Sequence, residues 1–222
     1  MKHKSKRFLL FCLAFVVTFL LVCYTVELVR IYRAESLGYT PIYNETVART
    51  EFLIESDVKR FEELVILYKD RSEYLESDMD FQQIRSKNLR ANALIELSGL
   101  LWAACITIIG LILFFKKTSH IGLTFYNWLG LFLSFFFIRH FVVNTFDLIF
   151  DFKWCAETDM LLYYNLPLKL SMIIFELVGI LLLGTILVHL PKKYKMSIVL
   201  AALVAGAIAL FLWVKYAGIF LS

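Results

Sequence analysis

One carboxylate, Glu176, stands inside the apolar run "SMIIFELVGILLLG", residues 171–184. An ionised acid at the centre of a membrane helix costs about 2.5–3.5 kcal/mol to insert, so it faces a partner, faces the bundle interior or takes up a proton. The chemistry open to it is a polar clamp between helices, a proton- or ion-responsive gate, a catalytic or cofactor site, or contact with a neighbouring subunit. Arg139 and His140 are the nearest candidates for a partner. They fall near the outer end of the apolar run before the one that holds Glu176, and a short loop joins the two runs. Glu176 lies about ten residues, or about 15 Å, into its run at about 1.5 Å per residue. Arg139 is nearer the boundary, and its long side chain reaches part of the way down. An intramembrane polar cluster of Glu176, Arg139 and His140 is therefore the first site expectation.

The remaining reactive side chains carry less. Of the four histidines, His120 and His189 share one depth, as two axial haem ligands would, but at the edge of the apolar runs, where interfacial histidines are ordinary. The four cysteines, Cys12, Cys23, Cys105 and Cys155, form no C-x-x-C pair and read as packing residues. No nucleophile elbow, phosphate loop, dinucleotide fingerprint or H-E-x-x-H motif occurs. The expectation is a protein without catalysis, cofactor or metal.

The elements that must position Glu176 are membrane helices. The chain has 222 residues, 60% of them hydrophobic, against about 45–50% in ordinary soluble domains. A mean hydropathy of +0.71 points the same way. Five apolar runs reach the length of about 20 residues that a membrane helix needs. They are 8–29, 93–115, 121–143, 166–190 and 196–221. The first run follows a basic start, as a signal peptide would. It is longer than a signal core, however, and no small-residue cleavage pattern follows "YTVELVRIYR", so it reads as a retained span.

Charge sets the orientation. Three short segments hold nine Lys/Arg and no acid: Lys2, Lys4, Lys6 and Arg7; Lys116 and Lys117; Lys192, Lys193 and Lys195. Short basic segments stay cytoplasmic, which predicts an N-terminus inside and a C-terminus outside. The overall +4 then comes from the cytoplasmic face and implies contact with anionic lipid headgroups, not nucleic acid. The fold class expected is an all-α integral membrane protein of about five spans in a cell membrane.

The domain plan follows. Residues 1–30 are the basic tail and first span, and 31–92 form an extracytoplasmic helical domain. Residues 93–143 are the second and third spans, 144–165 an interfacial outer loop rich in aromatics and acids, and 166–222 the fourth and fifth spans. Within 31–92, Gly38 and Pro41 mark a turn, and Asn44 is placed to cap a following helix. "NET" at 44–46 matches a glycosylation acceptor, which matters only in a secretory pathway. Ile54, Val58, Phe61, Val65, Tyr68 and Leu75 recur at spacings of 4, 3, 4, 3 and 7, an a/d seam that predicts an amphipathic helix of about 30 residues. The seam is read either as local hairpin packing or as an oligomerisation or sensing surface. A second helix from about Phe81 is expected to run straight into the second span.

Small residues set a further expectation. Ala201, Ala205 and Ala209, with Ala202 and Gly206 beside them, and Gly130 with Ser134, are patches that allow close helix approach, within the chain or to another subunit. Neither internal repeats nor mid-helix prolines break the runs, which lowers a transporter reading. The functional expectation is a membrane subunit that senses, regulates or scaffolds, with a homo-oligomer or a membrane protein as partner. An ion- or proton-responsive channel or transporter component is the alternative, and an intramembrane enzyme or electron carrier the third class. A membrane defence role is compatible with these features.

Overall fold

The computed structural model describes residues 2–44, 49–69, 72–116, 123–134, 161 and 163–221. It is mostly helical. Helix α1 (Lys2–Ser36) leads into an antiparallel hairpin of β1 (Thr40–Asn44) and β2 (Arg49–Leu53). Then come α2 (Glu55–Leu67), α3 (Ser72–Ser77), α4 (Met79–Phe115), α5 (Phe125–Ser134), α6 (Leu168–His189) and α7 (Lys192–Leu221). Three stretches, Phe8–Ser36, Met79–Phe115 and Lys192–Trp213, are long and apolar enough to cross a membrane by length and composition. The apolar part of α6, Glu176–His189, is shorter.

Helix α1 runs antiparallel to α4 and parallel to α7. Ala34 at its far end packs with Ala91 and Ile95 of α4, and Val22, Cys23 and Val26 in its middle pack with Ala103. Near its start, Cys12 and Phe15 pack with Phe114 of α4 and with Ile198, Ala201 and Ala205 of α7. Trp213, late in α7, joins the cluster around Val26. The start of α1, the end of α4 at Lys116 and the start of α7 therefore share one end of the bundle. Phe11 stacks on Trp128 with ring centroids 5.0 Å apart, and Trp128 meets Tyr194 edge-on at 5.3 Å. Described members of all three basic segments lie at this end, called the basic end below. The hairpin and α2 form a head at the other end.

The corner between α4 and α5 is built from identifiable side chains. At the basic end, Thr124 caps α5, its hydroxyl accepting from the Asn127 N–H at 3.3 Å. Asn127 is fully buried. Its amide donates to the carbonyls of Phe114 at 2.8 Å and Lys116 at 2.8 Å, which the end of α4 would otherwise leave without partners. Its Oδ1 accepts from the Thr124 N–H at 2.8 Å. Asn127→Ala strands several buried backbone groups at about 1–3 kcal/mol for each unsatisfied group. The expected result is a thermal midpoint lowered by several degrees in detergent, with the helical signal retained before the transition.

In the last turns of α4, the helices meet at glycine. A Cβ on Gly110 would stand 2.7 Å from the Ser134 nitrogen and 2.9 Å from the Gly130 carbonyl oxygen. A Cβ on Gly130 would strike the Gly110 carbonyl oxygen and the Phe114 nitrogen. The Gly130–Ser134 patch thus seats α5 on α4. Ala201, Ala205 and Ala209 are all fully buried. Ala201 and Ala205 pack against α1, and the Cys12 thiol approaches the Ala201 carbonyl at 3.8 Å. Ala202 is half-buried, and no atom of the described residues lies within 4 Å of where a Gly206 Cβ would stand.

The head departs from the helix of about 30 residues that its sequence suggests. Asn44 ends a strand and caps no helix; α2 begins at Glu55, with Ile54 as a cap that makes no side-chain bond. Thr40, Ile42, Tyr43, Thr50 and Phe52 favour strand, and an edge strand tolerates Pro41. The hairpin register pairs Thr40 with Leu53 and Asn44 with Arg49. Gly38, at φ 82°, supplies the left-handed turn that ends α1, and the Tyr39 N–H returns to the Ala34 carbonyl at 3.0 Å.

The helical seam is also interrupted. Helix α2 stops at Leu67, Tyr68 lies beyond its end, and Leu75 belongs to the separate α3. The cause is tertiary. Asp78 caps α4, its Oδ1 accepting from the Phe81 N–H at 3.1 Å, and Tyr68 donates its hydroxyl to Asp78 Oδ2 at 3.2 Å. The Phe81 N–H holds the Asp78 carboxyl below its ordinary range. Helix α2 folds back along α4 with Phe61 stacked on Phe81 at 5.4 Å and Asp57 paired with Lys87 at 2.7 Å. Its most buried side chain is Leu64, outside the a/d register, while Phe61 and Val65 stay 40% and 39% exposed. Ile54 and Val58 are half-buried. The second helix runs from Met79 straight into the apolar stretch, as its sequence suggests.

Candidate functional site

The strongest polar constellation lies where the head meets the apolar bundle. Glu27 and Arg30 stand three residues apart on α1, a spacing that places both on one face. Arg30 Nη1 donates to Glu27 Oε2 at 2.7 Å. Its other terminal nitrogen, Nη2, donates to Oε1 of Glu96 on α4. The three side chains are 9%, 7% and 13% exposed.

The chain makes room for this arrangement. A Cβ on Gly99 would stand 3.0 Å from both Cγ and Cδ of Arg30, and 3.4 Å from a methyl of Val26. Gly99, one turn beyond Glu96, therefore lets the arginine stem lie flat against α4. Glu27 is 19 residues beyond Phe8, about 29 Å along the helix at about 1.5 Å per residue. That length equals the thickness of a hydrocarbon core, about 30 Å, so in a bilayer crossed from Phe8 the triad would fall at the boundary opposite the basic end.

Chemically the triad is a fixed-charge clasp. A guanidinium stays protonated in proteins and presents a planar fork of donors to two carboxylates. Such charge-assisted bonds are directional and, shielded from water, stronger than exposed ones. They tie α1 to α4 just below the head. Above the clasp, Tyr39 is buried and donates its hydroxyl to Asn88 Oδ1 of α4 at 3.1 Å; burial pushes its pKa up.

Sequence reading missed this site because both acids lie near the ends of runs taken as spans, where acids are ordinary. The signal was present: an acid and an arginine at i, i+3 in "YTVELVRIYR", and a lone acid in "ALIELSG" at matching depth.

Glu176 lies on α6 and is half-buried. Its Oε1 is shielded from solvent and has no hydrogen-bond partner among the described residues. Arg139 and His140 lie outside the described residues, as do His120 and Cys155. His189 closes α6, with its ring edge-on to Phe115 at 4.9 Å and its Nδ1 2.8 Å from the Thr185 carbonyl. No group of three or more potential metal ligands occurs among the described residues.

Compared with protein-family models, with curated proteins and with solved structures, the chain matches none. Its class rests on its own features: a mostly helical chain with three helices that could span a membrane, compatible with a membrane protein.

Proposed function

We propose that this protein is a non-catalytic polytopic membrane subunit that senses, regulates or scaffolds through its head and its membrane helices. One observation carries the reading. Helices α1 and α4 each run unbroken from the head into the apolar bundle, and the Glu27–Arg30–Glu96 clasp ties them at the boundary. A displacement of the head is thereby passed to two membrane helices at once. On this reading the chain has five spans in a cell membrane. The basic end faces the cytoplasm and anionic lipid, and the head faces outward. The partner is a second copy or another membrane protein. Cysteines introduced at Ser222 and Ser119 test the orientation: an impermeant thiol reagent applied from outside is expected to modify Ser222→Cys and spare Ser119→Cys. The reverse pattern rules the orientation out.

A proton- or ion-responsive role is the second reading, favoured by the shielded Oε1 of Glu176, which has no hydrogen-bond partner among the described residues. Purified protein in liposomes separates the two. The regulatory reading expects no ion flux and no visible cofactor absorbance. A flux present in the wild type and absent in Glu176→Gln, which cannot titrate, would establish the second reading instead. A haem-like absorption band would establish an electron carrier.

A further inference from the structure

We infer that the basic end is a binding site for an anionic phospholipid, its headgroup phosphate taken by Lys116 at the end of α4 and Lys193 of α7 on the rim of an aromatic cluster. The inference rests on the proposed orientation, which brings this end to the cytoplasmic leaflet, and it adds the ligand and the residues that hold it. The lysines here lack counter-ions. Lys6, Lys116, Lys192 and Lys193 are exposed at this end, and none pairs with a carboxylate among the described residues. Residues 1–26, 97–134 and 177–200, which include all its described side chains, hold no Asp or Glu. Towards the head, by contrast, Arg30, Arg60 and Lys87 each meet a carboxylate.

Aromatic rings position two of these lysines. Lys116 Nζ stands 5.0 Å from the centre of the Tyr126 ring, and Lys193 Nζ 4.9 Å from that of Tyr194. Tyr194 meets Phe11 and Trp128, and Tyr126 lies two residues before Trp128 on α5. The two ammonium groups therefore flank one cluster drawn from α1, α5 and α7. A ring face attracts an ammonium but leaves its charge uncompensated. Nor does Lys193 serve its own helix: Lys192 and Lys193 open α7 with no acid in the first turn, where the helix dipole disfavours a cation. Charge and hydrocarbon together select the occupant. Phe115, Phe125, Val188 and Met196 stand exposed within a few residues of the lysines or of Tyr126, and Trp and Tyr are enriched at headgroup depth. A phospholipid brings an anion and acyl chains side by side, and an anionic headgroup is drawn to clustered lysines. A second copy in the same orientation brings the same lysines against them, and like charges across an interface are unfavourable.

The test uses the full chain in an uncharged maltoside detergent and reads its thermal midpoint as lipid is added. Dioleoylphosphatidylglycerol is expected to raise the midpoint saturably. Dioleoylphosphatidylcholine, inorganic phosphate and a polyglutamate peptide are expected to leave it unchanged. The double variant Lys116→Gln/Lys193→Gln is expected to need about tenfold or more phosphatidylglycerol for the same shift. Lys116→Arg/Lys193→Arg is expected to respond as the wild type does, which separates lost charge from lost folding. Lys215→Gln is the matched control. Lys215 also lies near rings, 5.9 Å from that of Phe211 and 5.4 Å from that of Tyr216, but late in α7, away from the basic end. It is expected to keep the full response. No shift with phosphatidylglycerol, an equal shift with phosphatidylcholine, or an undiminished response in the double glutamine variant would overturn the inference. So would an equal shift with phosphate alone, which makes the ligand a free anion, or with polyglutamate, which makes it an acidic protein. Cysteine labelling judges the orientation separately: a lysine-dependent lipid response with the reverse labelling pattern keeps the site and removes the orientation.

Discussion

Arg30→Ala is expected to destabilise the protein by about 3–5 kcal/mol, the range found when one partner of a buried ion cluster is removed. The substitution takes from Glu27 and Glu96 the guanidinium that donates to both, where little solvent screens their charge, and it empties the space above Gly99 that the arginine stem fills. Arg30→Lys is expected to fall between the two, because an ammonium keeps the charge and loses the fork that reaches both carboxylates. Replacing all three residues together, as Glu27→Gln, Arg30→Met and Glu96→Gln, is expected to recover much of the loss. Removing a whole buried cluster is often far milder than orphaning one charge. Reversible unfolding in detergent measures all three. A triple variant as damaged as Arg30→Ala would show that packing, not uncompensated charge, sets the cost.

Gly130→Leu is the second large effect. Even the first carbon of the new side chain collides with the α4 backbone at Gly110 and Phe114, and backbone cannot swing aside as a flexible side chain does. Overpacking of this kind costs about 1–3 kcal/mol, and a leucine here stands at the upper end or beyond. Gly110→Ala meets the Ser134 nitrogen at 2.7 Å and is expected to behave similarly on a smaller scale. Gly184 and Gly206 supply the control. Among the described residues nothing lies within 4 Å of either Cβ position. Alanine there is expected to be neutral, or stabilising by up to about 1 kcal/mol through helix propensity. Destabilisation by Gly206→Ala, matched to that of Gly110→Ala, would contradict the α4–α5 contact as the close one.

The apolar stretches that became α1, α4 and α7 were legible because about 20 apolar residues in succession have few uses outside a membrane or a buried core. The start of α4 near Phe81 was legible for a related reason: no glycine or proline interrupts the chain between there and the bundle. The head was less so. Residues 54–75 do repeat at helical spacing, but periodicity records which residues share a face, not where a helix stops. Asp78 stops it by capping α4, and α2 turns back to stack Phe61 on Phe81, a contact between segments that no local pattern encodes. The hairpin was hidden because Gly38 and Pro41 read as breakers, while the strand-forming types around them pair only with residues several positions away.

The sites divide in the same manner. The Ala201–Ala205–Ala209 stripe and the Gly130–Ser134 patch were visible as small residues one turn apart; in the folded chain Ala201 and Ala205 join a buried cluster with α1, and Gly130 and Ser134 lie against Gly110 of α4. Gly110, the other half of the second contact, is a lone glycine in α4 and carries no pattern of its own. Glu176 drew attention because it is alone in an apolar run. Glu27 and Glu96 drew less, each lying near a span end where acids are unremarkable, and only the folded chain shows them sharing one arginine.

Hydrogen exchange of the full chain in nanodiscs, wild type against Arg30→Met, tests most directly whether the clasp joins head and bundle into one unit. The account predicts that the amides of β1, β2 and α2 lose protection together with those of α1 and α4 flanking Glu27 and Glu96. Loss confined to the residues next to the substitution, with the head protected as in the wild type, would contradict it.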